Sequence, residues 1–182
     1  MNMAAATAVE DNPLIYLPHH KFYSDDKLRR ILSSVRTFAM VGASTNWKRP
    51  SFYAMKYLTQ KGYRVIPVNP SRAGEEILGE KVYATVGDVP FDLDMVDIFR
   101  TSEEALEITK DVIANKDAKN IKVLWMQLTV RHDPAAELAE AAGLEVVMDR
   151  CPKIEYGRLS GELSWCGINS GIISNKSLKP PR

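Results

Sequence analysis

The sequence predicts an α/β fold in three layers, with a doubly wound parallel sheet of five strands held between helices. Three observations predict it. Short apolar runs alternate with helical periodicity along most of the 182 residues, and such alternation implies parallel strands joined by right-handed crossovers. Helix starts and stops are punctuated by Pro50, Gly62 and Gly143. One strand–helix–strand unit, residues 38–70, is legible almost residue by residue.

The elements follow in order. Residues 1–23 read as an N-terminal arm, partly disordered, with Leu14-Ile15-Tyr16-Leu17 as a docking strip. Residues 24–155 form the domain, and 156–182 a tail that wraps over the strand ends. Ser24-Asp25 caps a first helix through Val35, with Leu28, Ile31, Leu32 and Val35 on one face. Thr37–Val41 is the first strand. A helix over 50–60 turns Ala54, Tyr57 and Leu58 to the sheet and stops at Lys61-Gly62. Arg64–Val68 is the second strand. Residues 73–89 are irregular, with a small turn at 77–82. Leu93–Phe99 is the third strand, and Thr101-Ser102-Glu103-Glu104 is a capping box for a helix through Ala114. Ile121–Leu128 is the fourth strand. Asp133 caps a helix with Ala135, Leu138, Ala139 and Ala142 on one face, and Glu145–Met148 is the fifth strand.

Bulk properties exclude several classes. Net charge is +1, and no basic stripe of the kind nucleic acids require is present. No apolar run approaches the ~20 residues that span a bilayer. No Lys or Arg precedes Lys21, and the first residues lack the pattern of a secretory signal. Two cysteines, Cys151 and Cys166, make no disulfide framework. A cytoplasmic protein is therefore expected, without membrane or nucleic-acid partners. A metal site is not expected, since C-x-x-C is absent and His19-His20 stand far along the chain from His132.

The chemistry gathers where the first strand ends. Gly42 permits a sharp turn and a close ligand approach. Pro50 suits the first position of a helix, and free amides there attract an anion. Lys48 and Arg49 add two positive charges. A nucleotide with several phosphates fits this loop. The dinucleotide fingerprint G-x-G-x-x-G is missing, and the second strand ends in Asn69-Pro70-Ser71-Arg72 where an acid would hold a ribose. That argues against NAD and for a ligand with an extra phosphate. The P-loop pattern is also absent. Ligands of such sheets bind beyond the carboxyl ends of the strands, which adds Phe99-Arg100, Trp125-Met126-Gln127 and Asp149-Arg150-Cys151-Pro152 as candidate positions.

Val41-Gly42-Ala43-Ser44, Lys48-Arg49-Pro50-Ser51, the run from Gly62 to Pro70, Val96-Asp97-Ile98-Phe99-Arg100 and Asp149-Arg150-Cys151-Pro152 together resemble the stand-alone CoA-binding domain proteins. Those are small Rossmann-like proteins similar to the nucleotide domain of the succinyl-CoA synthetase α subunit. The resemblance covers about Phe38 to Glu155. It implies coenzyme A (CoA) or an acyl-CoA as ligand, with no ligase chemistry by this chain alone. Carried over residue by residue, it implies contacts from Ser44, Thr45, Asn46 and Trp47 in the first loop. Asn69, Pro70 and Arg72 match the second turn, Arg72 standing where a Lys is usual, and Trp125, Met126 and Gln127 match the end of the fourth strand. The synthetase loop has an additional Gly, replaced here by bulkier residues. The candidate cofactor-binding set is thus Gly42 to Ser51 (including Lys48, Arg49 and Pro50), Asn69, Pro70, Arg72, Phe99, Arg100 and Gln127.

Plainer roles stand beside these. Ser44 and Asn46 would equally cap their own loop, Phe99 would finish a strand, and Trp125 and Met126 would pack. Cys151, beside Arg150, is the one candidate for covalent chemistry on a CoA thioester or disulfide, but an inert, partly buried thiol is the favoured reading, and Cys166 reads as packing. His19-His20 read as surface residues of the arm. A homodimer or an enzyme partner is compatible with all of this, and an NAD oxidoreductase is the disfavoured alternative.

Overall fold

A computed structural model describes residues 17–161. After a short turn, Pro18–His20, the elements are α1 (Asp25–Ser34), β1 (Thr37–Val41), α2 (Pro50–Gln60), β2 (Arg64–Val68), a second short turn (Pro70–Arg72), β3 (Glu76–Ile77), β4 (Glu80–Lys81), β5 (Met95–Ile98), α3 (Ser102–Asn115), β6 (Val123–Met126), α4 (Asp133–Ala141), β7 (Glu145–Val147) and α5 (Pro152–Leu159). Five strands pair in parallel in the order β2-β1-β5-β6-β7. β3 and β4 form a separate hairpin, whose turn needs left-handed backbone at Leu78 and Gly79.

The pleat sorts the core into two halves. Phe38, Met40, Met95 and Trp125 face α1, α2 and α5, where Leu28, Ile31, Leu58 and Tyr156 pack on them. Ala39, Val41, Val96 and Leu124 face α3 and α4 and meet Ala105, Val112, Ala135 and Ala139. With helices on both sides, the strands are mainly apolar, with Arg64 and Glu145 at strand starts and one buried acid, Asp97, inside β5. The three-layer, doubly wound parallel fold expected of the sequence is the fold observed.

Local signals act as their chemistry dictates. Ser24 accepts the Lys27 N–H at the start of α1, and Thr101 and Glu104 close a reciprocal capping box on α3. The start of α4 differs from expectation. Its cap is His132, whose Nδ1 accepts the Ala135 N–H at 3.1 Å. Asp133 is instead claimed by the arm and its neighbour: it accepts the Leu17 N–H at 3.1 Å and pairs with Arg131 at 2.7 Å. Buried Ala136 joins the small-residue face, while Leu138 and Ala142 are only half-buried. The third to fifth strands are shorter than the apolar runs, because the ladders end while Leu93, Ile121 and Met148 continue as buried flanks.

The arm also departs from its surface reading. His20 is buried, its Nδ1 2.7 Å from the Tyr23 hydroxyl. Arg131 donates to the carbonyls of Leu17 and His20. Of the docking strip, only Leu17 is described, and it packs against the α3–α4 half of the core. Leu14 to Tyr16, Cys166 and the C-terminal Lys-Pro-Pro-Arg lie outside the described residues. Residue 155, where the sequence suggests the domain ends, falls inside α5. Among the described residues, no helix is long and apolar enough to cross a membrane.

Candidate functional site

The strand order reverses at β1. The chain leaves it toward β2 on one side and returns on the other as β5. The two crossovers part at that point, and a crevice opens beyond the carboxyl ends of β1 and β5. A cleft of about 580 Å³ lies there.

Gly42 closes its floor. Its φ is +91°, and a Cβ at this position would stand 2.5 Å from the Phe99 carbonyl oxygen. Only glycine satisfies both the left-handed backbone and the close approach. Its own N–H donates to the Val68 carbonyl at 2.8 Å, so the turn ties β1 to β2.

The wall is the start of α2. Its cap residue is Arg49, whose side chain accepts no amide hydrogen. Helices ordinarily begin with an oxygen-bearing cap, and here that oxygen is missing. Arg49 lines the cleft with Pro50 and buried Ser51. Arg49 is exposed and makes no ion pair among the described residues. A helix N-terminus with a guanidinium beside it is electrostatically suited to an anion.

The loop before α2 is held by its own side chains. Asn46 N–H donates to Ser44 Oγ at 3.2 Å, and Lys48 N–H to Asn46 Oδ1 at 2.9 Å. Asn69 welds this loop to the next: its Nδ2 donates to the Ala43 carbonyl at 2.8 Å, and its Oδ1 accepts from Ser71. Of the sequence candidates, Gly42, Ser44, Arg49, Pro50, Ser51, Asn69, Arg72, Phe99, Arg100 and Gln127 line the cleft. Ala43 is buried, Thr45 half-buried and Asn46 exposed, and none of the three lines it. Trp47 is 60 % exposed, with Lys48 Nζ 5.4 Å from its ring centroid, and both stand outside.

Two further cations face the cleft in local pairs. Arg72 is 3.3 Å from Glu75, and Arg100 Nε donates to Glu104 at 3.1 Å. Both pairs are exposed and weakly bound, so an incoming anion can compete for them. Pro70 lines an adjoining cleft of about 470 Å³, which shares Gly42, Asn69, Ser71 and Arg100 with the first and adds Glu103, Glu107 and Ile108.

Gln127 contributes to the floor, but its polar atoms turn inward. Its Nε2 donates to both oxygens of Asp97, at 3.1 and 3.2 Å. Asp97 is wholly buried in mid-strand, and burial pushes its carboxyl up to about 8, against the pull of the Gln127 donors. In the sequence, Asp97 stands within an expected strand and carries no site signal of its own beyond its charge. The available signal was one acid inside the apolar run Met95-Val96-Asp97-Ile98. Also unforeseen are Leu128, Thr129 and Val130 along the rim. Thr129 has φ +69°, and its N–H donates to Asp149 Oδ1 at 2.8 Å. Trp125 is fully buried, its Nε1 donating to the Arg150 carbonyl at 2.7 Å, and Met126 is core.

Cys151 does not have the lowered pKa that Arg150 suggested. The thiol is buried, and burial pushes it up, with the nearby Asp97 charge adding to the rise. A thiol in that condition is a poor nucleophile at neutral pH.

The protein is thus a parallel Rossmann-like sheet with a cationic cleft at its switch point. The chain belongs to the CoA binding domain family, whose model matches residues 36–157. Among solved structures it is similar to a redesigned protein, Prb (PH1109 protein redesigned for binding), at 38 % identity and a TM-score of 0.71, over 77 % of this chain and 94 % of that one. It is similar also to cell-free ID.343 from Thermus thermophilus, at 35 % identity and a TM-score of 0.69, over 75 % of this chain and 98 % of that one. The uncharacterized protein YneT of Bacillus subtilis (strain 168) is 28 % identical over 133 residues, which are 73 % of this chain and 94 % of YneT.

Proposed function

We propose that this protein binds CoA or an acyl-CoA in the cleft beyond β1 and β5. The observation that carries the reading is the unfilled start of α2, capped by Arg49 and facing Gly42 across the cleft, in a chain of the CoA binding domain family. The diphosphate lies on the Ser51 N–H at the start of α2, beside the Arg49 guanidinium, Pro50 having no N–H to offer. Arg72 and Arg100 supply cations for the 3′-phosphate, which draws them away from Glu75 and Glu104. Adenosine or pantetheine extends into the adjoining cleft past Pro70 and Ile108. Gly42 and Asn69 shape the floor, and Asp97 with Gln127 supports it from below.

The protein acts as a binding module without ligase chemistry. No described histidine lines the cleft: His19 and His20 lie against Glu140, and His132 caps α4. The alternative, chemistry through Cys151, is disfavoured by the buried, high-pKa thiol. Calorimetric titration with CoA, 3′-dephospho-CoA and NAD tests the proposal. CoA should bind most tightly and dephospho-CoA roughly tenfold or more weakly, the loss of a charge-assisted contact being worth about 1.5–3 kcal/mol. Equal weak affinity for all three would contradict it.

A further inference from the structure

A second set of ligating atoms lies outside the cleft, where the arm crosses α4. His19 Nε2 is 3.0 Å from Glu140 Oε2, and His20 Nε2 is 3.1 Å from Glu140 Oε1. The two imidazole centroids are 4.3 Å apart. The fold thus gathers two imidazoles and a carboxylate from positions 121 residues apart, His19 to Glu140. None of them lines the nucleotide cleft.

His20 shows that this is more than a surface ion pair. Its side chain is completely enclosed, and its Nε2, 3.1 Å from Glu140 Oε1, makes no well-formed hydrogen bond. A buried ring nitrogen aimed at a carboxylate without a hydrogen bond leaves desolvated polarity unmet. The spacing suits a shared cation instead. Tetrahedral zinc with bonds of about 2.0–2.1 Å separates its ligand atoms by about 3.3 Å, close to the distances seen here.

The support for the ligating ring is also in place. His20 Nδ1 lies 2.7 Å from the Tyr23 hydroxyl oxygen, which already accepts the Met148 N–H at 2.7 Å. A ligating histidine needs its second nitrogen fixed as a donor, and the Tyr23 oxygen can accept from it. The backbone around the site is tied down before any ion arrives. Leu17 N–H donates to Asp133, and Arg131 holds the carbonyls of Leu17 and His20.

We propose that His19, His20 and Glu140 form a binding site for a zinc-like divalent transition-metal ion, with water completing its coordination. Imidazole and carboxylate donors suit this class of ion. The ion fastens the N-terminal arm to α4.

The test uses the full chain, stripped with EDTA and exchanged into chelator-free buffer. Zinc chloride is titrated by calorimetry, and metal retained after dialysis is counted by mass spectrometry. One zinc per chain is expected, with the thermal midpoint rising on zinc addition. His19→Ala and Glu140→Gln should each weaken binding at least tenfold while leaving the circular dichroism of the metal-free protein unchanged. Cobalt(II) should give the intense visible band of a tetrahedral site in the parent protein and lose it in Glu140→Gln. A Cys151→Ser/Cys166→Ser double variant should retain both. No stoichiometric zinc, or affinity that survives His19→Ala and Glu140→Gln, or affinity that vanishes with the cysteines, would overturn the assignment.

Discussion

Gly42 and Arg100 meet where the sheet divides: a Cβ on residue 42 would stand 2.6 Å from Arg100 Cδ. The turn after β1 and the turn after β5 are thus fitted to one another, and the cleft exists because residue 42 has no side chain. Gly143, which ends α4, has a similar φ of +86° but nothing within 4 Å of its virtual Cβ. Gly143→Ala should therefore cost only the left-handed strain, about 1 kcal/mol. Gly42→Ala should cost that strain and the overlap together, roughly 2–4 kcal/mol, and should abolish CoA binding. Urea denaturation of both variants checks the contrast, and equal losses would show that the close approach is unimportant.

Arg49 should carry affinity without carrying stability. It is exposed and makes no ion pair among the described residues. Arg49→Gln should weaken CoA binding roughly ten- to hundredfold and leave the urea midpoint unchanged. Calorimetry beside denaturation reads both quantities on the same preparation.

Glu104 competes with any phosphate for Arg100. Glutamine preserves the capping box while removing the charge. Glu104→Gln should therefore strengthen CoA binding about two- to fivefold, with helix α3 intact by circular dichroism. Weaker binding would show that Glu104 serves the ligand directly.

Asp97 should make stability depend on pH. Its carboxyl rises from 3.8 in the reference state to about 8 in the fold. Between these values the native state keeps a proton that the unfolded chain releases. The Asp97 contribution to stability is therefore fully present below about pH 4 and is lost as pH rises to about 8, by at most about 1.4 kcal/mol per unit. Asp97→Asn stays neutral and should lose that slope. Denaturation at pH 5 and pH 8 in both proteins isolates the effect, because other titrating groups are common to the two curves. Parallel pH dependence would mean that Asp97 is ionised in the fold.

Much of this architecture is written in local chemistry. The Ser24 cap, the Thr101–Glu104 box, Pro50, Gly62 and Gly143 mark boundaries by contacts within a few residues, and those boundaries hold. Gly42 and the Lys48-Arg49-Pro50 sequel are adjacent in sequence, and the start of the site is legible for that reason. What escaped depends on distant partners. His20 looks like a solvated arm residue until Glu140 and Tyr23 close over it. Asp133 looks like a cap until Leu17 and Arg131 claim its carboxylate and leave the capping to His132. Asp97 is a strand residue until β6 brings Gln127 beside it. The inward turn of Gln127 and the rim at Thr129 likewise depend on pairings no single segment encodes.

CoA lying across the crest between β1 and β5 is the binding mode on which the proposed function depends. Amide chemical shifts of nitrogen-15-labelled protein, followed during titration with CoA, test this most directly. The largest shifts are expected at Gly42, Ser51, Phe52 and Arg100, with His20 and Glu140 unmoved. Saturable shifts confined to surfaces away from the crest, with the start of α2 silent, would contradict it.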